Sequence, residues 1–219
     1  MKFLTSLSPN RIERQLVAMN TWKQYATEIV AVQTPENIEI LAPHFPYVTF
    51  IERKIFPDKY PHKPNRVTLG ELFSYGPGLL INSDCEMTGI DGWDYLPMTL
   101  VLGVRHEYKQ VPGPKNSVIP CGIDAFLISP DVMTHFEEHG FILGSSVWDV
   151  WMPWHYATKG FRLERNRRQR INHQAHKSEW DEVDTDIGTK ILQEKYNVSL
   201  GRVVDFVMRE TGRKGSLRQ

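Results

Sequence analysis

The chain is short of cysteine, of long apolar stretches and of any excess of charge. Only Cys85 and Cys121 occur, and neither has the spacing of a zinc ligand pair. That argues against a disulfide scaffold and a structural zinc site, and a reducing compartment, the cytoplasm, is expected. No apolar run approaches the ~20 residues of a membrane-spanning helix. The opening residues reach Pro9 and Arg11 before a signal-peptide core of apolar residues has formed. Lysine plus arginine and aspartate plus glutamate number 26 each. No global field therefore recruits nucleic acid or an anionic membrane, and any polyanion must be held locally. Internal repeats and low-complexity segments are absent. At 219 residues, 41% of them hydrophobic, the chain is large enough for one α/β domain with a sizeable core.

What is present is an alternation of strand and helix. Phe3 to Ser6 reads as a short strand, and Ile12, Leu16, Met19 and Ala26 follow at helical spacing. Ile29 to Gln33 is a buried-type strand, and Thr34-Pro35-Glu36 supplies a cap, a proline and an acid for a helix to about Ala42. Val48 to Ile51 is a third strand. This order predicts parallel β-α-β units, in which ligands collect at the carboxyl ends of the strands. Pro57, Pro61 and Pro64 among Lys59, His62, Lys63 and Arg66 predict a cationic loop, read either as a solvated connection or as a phosphate contact. Further strands are expected over Leu79 to Asn82, Leu96 to Val104 and Ile123 to Ile128, with helices over Val67 to Tyr75 and Pro130 to Glu138. A turn is expected at Val111 to Pro114. Two helices, from about Ile187 to Tyr196 and from Leu200 to Glu210, precede a basic tail from Arg213.

The strand over Leu79 to Asn82 ends in Ser83-Asp84-Cys85-Glu86. If extended geometry persists, Asp84 and Glu86 point to one face, because strand side chains alternate. Such a pair suits one hard divalent cation, with substrate phosphates and water completing its shell. The competing reading is a strand end followed by a solvated acidic turn.

The second half differs in texture. Trp148, Trp151 and Trp154 fall within seven residues, with Asp149 between the first two. A tryptophan cluster is either core or a platform for a sugar ring. Asp149 is either a general base, its pKa raised by apolar neighbours, or a helix N-cap. From Lys159 to Arg170 six cations stand against Glu164 alone; this is a solvated surface or, through Arg162, Arg165, Arg167 and Arg168, an anion lid. His173 and His176 close the series.

In this order, a nucleotide-type β-α-β half, Asp84-x-Glu86, Asp124, the Trp148-Asp149 segment and His173-x-x-His176 resemble a GT-A glycosyltransferase. The resemblance covers most of residues 1 to about 180, and the catalytic domain it implies is expected over 1–185, with a nucleotide-binding half over 1–88 and an acceptor half over 89–185. Residues 186–219 form a helical C-terminal extension. It implies an α/β fold with an open, mostly parallel sheet flanked by helices. It also implies a metal, Mn²⁺ or Mg²⁺, on Asp84, Glu86, His173 and His176, and a nucleoside-diphosphate sugar as donor. Thr5, Ser6, Arg11 and Gln33 would contact the nucleotide, Arg66 the diphosphate, and Ser83 the ribose. Asp149 matches the general base of inverting members, and Asp124 a group that binds sugar hydroxyls.

The expected activity is metal-dependent transfer of a sugar to an acceptor hydroxyl of a glycan, a small molecule or nucleic acid. The alternatives are a nucleotide-sugar or carbohydrate-binding protein without catalysis, and a nucleotidyltransferase. Against the last, Ser6-Leu7-Ser8-Pro9 lacks the glycine-rich cationic loop that such enzymes carry after the first strand. A two-metal phosphohydrolase would need a second cluster of carboxylates and histidines.

Overall fold

A computed structural model of the chain describes residues 1–108, 117–118, 122–174 and 182–211. The elements up to the middle of the chain are β1 (Lys2–Thr5), α1 (Ile12–Trp22), β2 (Glu28–Gln33), α2 (Pro35–Leu41), β3 (Thr49–Glu52), α3 (Leu69–Phe73), β4 (Gly78–Ile81) and β5 (Cys85–Met87). There follow β6 (Thr99–Tyr108), β7 (Ser117–Val118), β8 (Ile123–Ile128), α4 (Pro130–Thr134), α5 (Trp148–Thr158), β9 (Arg162–Arg165), β10 (Ile171–Gln174), α6 (Glu182–Tyr196) and α7 (Leu200–Glu210).

These form a mixed α/β fold around a curled, mostly parallel sheet of order β3-β2-β1-β4-β8-β6-β10-β5. β1 is parallel to β2 and β4, whereas β8 is antiparallel to β4 and β6. β6 is long enough to carry β9 along its first half and β10 along its second, both parallel, while β7 pairs with its far end.

The central strands are apolar on both faces because both faces are covered. Leu4, Val30, Leu80 and Phe126 belong to one core with Trp148, Trp151, Val203 and Val207. Their chain neighbours Phe3, Ile29, Leu79 and Leu127 point the other way, into a second core with Met19, Trp22 and Leu41. Helix starts follow local chemistry: the side chains of Thr34, Thr68, Ser129 and Ser199 each accept a backbone N–H of the first turn. On α7, Val203 and Val207 pack in the same core as α5, so the C-terminal helices share the core of the sheet. Among the described residues no helix is long and apolar enough to cross a membrane.

Candidate active site

Sheet order sets the place of the site. β2 and β3 lie to one side of β1 and β4 to the other, so the chain segments leaving β1 and β4 diverge and leave a crevice at their carboxyl ends. A cavity of about 580 Å³ opens there, within the range of ~300–1,000 Å³ common to ligand sites. From the β1 side, Ser6, Ser8, Arg11 and Gln15 line it; from the β4 side, Asn82, Ser83 and Asp84. Gln15 holds the two sides together: its amide accepts from the Ser8 N–H at 2.7 Å, returns a bond to the Ser8 carbonyl at 2.7 Å, and accepts from the Ser83 hydroxyl at 2.8 Å.

Asp84 and Glu86 do not share a face. The chain turns at Ser83-Asp84, where the Cys85 N–H donates to the Asn82 carbonyl at 3.1 Å, so strand alternation does not carry across the pair. Asp84 lines the cavity, whereas the Glu86 carboxylate accepts the Tyr108 hydroxyl and does not line it. In place of Glu86, Asp84 has His173, whose Nε2 lies 3.3 Å from Asp84 Oδ2, and Arg11 at 4.0 Å. On its other side the His173 Nδ1 faces the Glu107 carboxylate at 3.7 Å. His176 lies outside the described residues. Among those described, no three histidine, cysteine, aspartate or glutamate side chains cluster as a metal cage.

Thr5 and Gln33 are fully buried and do not line the cavity. The Thr5 hydroxyl donates to the Ile81 carbonyl at 2.7 Å, and Gln33 Nε2 to the Leu7 carbonyl at 2.8 Å and the Ser6 hydroxyl at 3.1 Å. They brace the loop that presents Ser6. Arg66 does reach the cavity, from a loop more firmly anchored than a solvated connection. Tyr60 is buried, and His62, at 3.0 Å, and Lys63 both pair with the buried Asp184 of α6. None of Arg162, Arg165, Arg167 or Arg168 lines the cavity.

Asp124 sits in β8 at a bulge. Gly103 pairs with Ala125 and the next residue, Val104, with Ile123, so Asp124 is the extra residue. Such a bulge re-aims a side chain. The Asp124 carboxylate accepts from Asn82 Nδ2 at 2.7 Å and pairs with Arg105 at 3.2 Å. A Cβ on Gly122 would fall 2.8 Å from the Arg105 guanidinium carbon; the glycine leaves room for that arginine. Arg105 also pairs with Glu107 at 3.2 Å. Sequence reasoning missed both. The signal was available: β6, like β4, is an apolar run ending in charges, and Arg105 and Glu107 alternate onto one face.

Asp149 lies in the first turn of α5, not at its cap, which is Val147. Burial pushes its carboxyl pKa up to about 6, with the Asp124 charge adding and Arg105 opposing. Val147 is held at φ 79°, a conformation a β-branched residue adopts only under constraint. Gly188 of α6 backs it so closely that a Cβ there would fall 2.7 Å from the Val147 side chain. Of the three tryptophans only Trp148 lines the cavity; Trp151 stacks on Phe141 and His155 in the core.

The cavity thus joins Arg11, Arg66 and Arg105, two of them paired with lining carboxylates, to a carboxyl whose pKa burial has raised. That combination suits proton transfer beside an anionic group. No protein-family model and no curated protein sequence matches the chain.

Proposed function

We propose that this chain is a metal-dependent glycosyltransferase with a GT-A-like fold, moving a sugar from a nucleoside-diphosphate sugar to an acceptor hydroxyl. One observation carries the reading: Asp84, His173 and Asp149 line a single cavity at the crevice beside β1 and β4.

Asp84 and His173 fit a divalent cation, Mn²⁺ or Mg²⁺. Their facing oxygen and nitrogen are 3.3 Å apart, and a hard cation that keeps substrate oxygens and water needs only one or two protein ligands. When bound, it offsets charge developing on the nucleoside diphosphate. Arg11 and Arg66 bring guanidinium groups to the same phosphates. Ser6 and Ser83 offer hydroxyls to the nucleoside. Asp149 takes the proton of the acceptor hydroxyl, a task for which a pKa of about 6 suits it. Asp124 acts through its neighbours: it fixes Arg105 and raises the pKa of Asp149.

The deciding experiment is incubation with a panel of nucleotide sugars and Mn²⁺, reading release of free nucleoside diphosphate with and without simple sugar acceptors. Turnover with one donor, abolished in Asp149→Asn, supports transfer. The second reading, a nucleotide-sugar-binding protein, draws on the Glu86 carboxylate's engagement with Tyr108; it predicts binding with no release.

A further inference from the structure

The cavity has two chemically distinct sides. Its charged side chains come from the strand ends, the loops beside them and, as Asp149, the first turn of α5, whereas α7 contributes only Leu200, Val204 and Met208. These three are spaced four residues apart and form one stripe along the helix. Val203 and Val207, at 0% and 1% exposure, fill the core, whereas the cavity stripe stays half-buried, with Leu200 also packed against the edge of that core. Over eight residue steps of ~1.5 Å each the stripe runs about 12 Å. Leu143, Val147, Trp148 and Val150, from α5 and the segment before it, add a second apolar wall. Of these seven side chains only the Trp148 indole is a hydrogen-bond donor; Ser145, Ser146 and Asp149 of the same segment also line the cavity and supply polar contacts beside them. An unbranched methionine at the end of the stripe adapts to the shape of an apolar occupant.

We propose that the substrate bearing the reactive hydroxyl is an amphiphile, with an alkyl or aromatic body along the α7 stripe and its polar head at Asp149. This rests on the transferase reading for the role of Asp149, but the apolar seat stands on the lining alone. A donor nucleobase is the competing occupant of these walls.

The test compares octyl glucoside, below its micelle-forming concentration, with methyl glucoside by titration calorimetry on the full chain. Octyl glucoside is expected to bind one to one and about tenfold or more tighter, since each buried methylene adds to affinity. Val204→Asp is expected to bring the two affinities together while Mn²⁺ with a nucleoside diphosphate still raises the melting temperature. Met208→Gln, a milder change, is expected to narrow the gap. Equal affinities in the unsubstituted chain overturn the proposal, as does an octyl preference untouched by both variants. So does a Val204→Asp protein that stays folded and loses the nucleotide response along with the octyl preference, because the wall then holds the base. An octyl preference that these variants remove, with no nucleotide response even in the unsubstituted chain, supports the apolar seat and overturns the transferase reading.

Discussion

His173 Nε2 lies 3.3 Å from Asp84 Oδ2 although the two residues are 89 positions apart. The approach is built by β10, which runs antiparallel to β5 with His173 opposite Cys85 and parallel to β6 with His173 opposite Glu107. One histidine is thereby placed between two carboxylates, beside the turn that follows β4.

Mn²⁺ and a nucleoside diphosphate at a hundredfold excess over their dissociation constant should raise the melting temperature by about 5–10 °C, since such an excess is worth ~2.7 kcal/mol. Asp84→Ala and His173→Ala should each remove the Mn²⁺-dependent part, and Glu86→Gln should keep it. Scanning calorimetry checks all three. Loss in the Glu86 variant alone would show that the second carboxylate reaches the metal after all.

Asp149 should oppose folding at neutral pH. Its folded pKa of about 6 lies above the ordinary 3.8, so its contribution to stability is complete below pH 3.8 and is lost as pH rises through 6. Asp149→Asn should therefore stabilise the chain at pH 8 by about 1–3 kcal/mol, less than the full shift because water reaches the group through the cavity, with the gain closing towards pH 4. The same variant should lose about 10²–10⁴-fold in transfer rate. A variant that is both less stable at pH 8 and fully active would contradict the role given to this residue. Urea unfolding at several pH values and a steady-state assay supply the two readouts.

The buried His155 and half-buried His139 act in the opposite direction. Burial holds both rings below the usual 6.5, so the folded chain binds fewer protons than the unfolded one. Their contribution is complete above pH 6.5 and is lost as pH falls through the folded values. His155 Nδ1 meets the Tyr196 hydroxyl at 3.1 Å, which ties this titration to α6. In an Asp149→Asn background, where the opposing carboxyl is gone, the urea midpoint should fall between pH 7 and 5, and adding His155→Gln should flatten that slope. A midpoint independent of pH over the interval would disprove it.

Gly188→Ala has a sign that decides between two effects. Helix propensity alone would make it stabilising by up to ~1 kcal/mol. The new Cβ, however, would press on Val147, so overpacking should win and cost about 1–3 kcal/mol. Because Val147 precedes Trp148 and Asp149 in the cavity wall, activity should fall as well. Thermal melts and the transfer assay give the answer, and a variant more stable than the unsubstituted chain would mean that the α6–α5 contact yields freely.

Local patterns in the sequence were enough to locate β1, β2, β4 and β8, the cap at Thr34 and the helix α7, because apolar runs and capping hydroxyls act within a few residues. Together with the family resemblance they singled out Ser6, Arg11, Arg66, Ser83, Asp84, Asp124, Asp149 and His173, which the fold gathers around one cavity. Thr5 and Gln33 illustrate what spacing cannot convey: strand-end polar residues point inwards here because backbone carbonyls of neighbouring segments need donors. Alternation places Glu86 beside Asp84, and one turn at Ser83-Asp84 undoes it. β9 and β10 escaped detection because their pairing along β6 is a long-range event, and charges in β9 mask the pattern.

The lining of the cavity spans the chain from Ser6 to Met208, and this orders events during biosynthesis. The ribosome releases the strand ends with their carboxylates and arginines well before α7 emerges to close one side. Up to that moment the nascent protein carries the acid–base groups without an enclosing wall. A chain that ended before α7 would keep every ionisable residue of the site while losing that wall and the core contacts of Val203 and Val207.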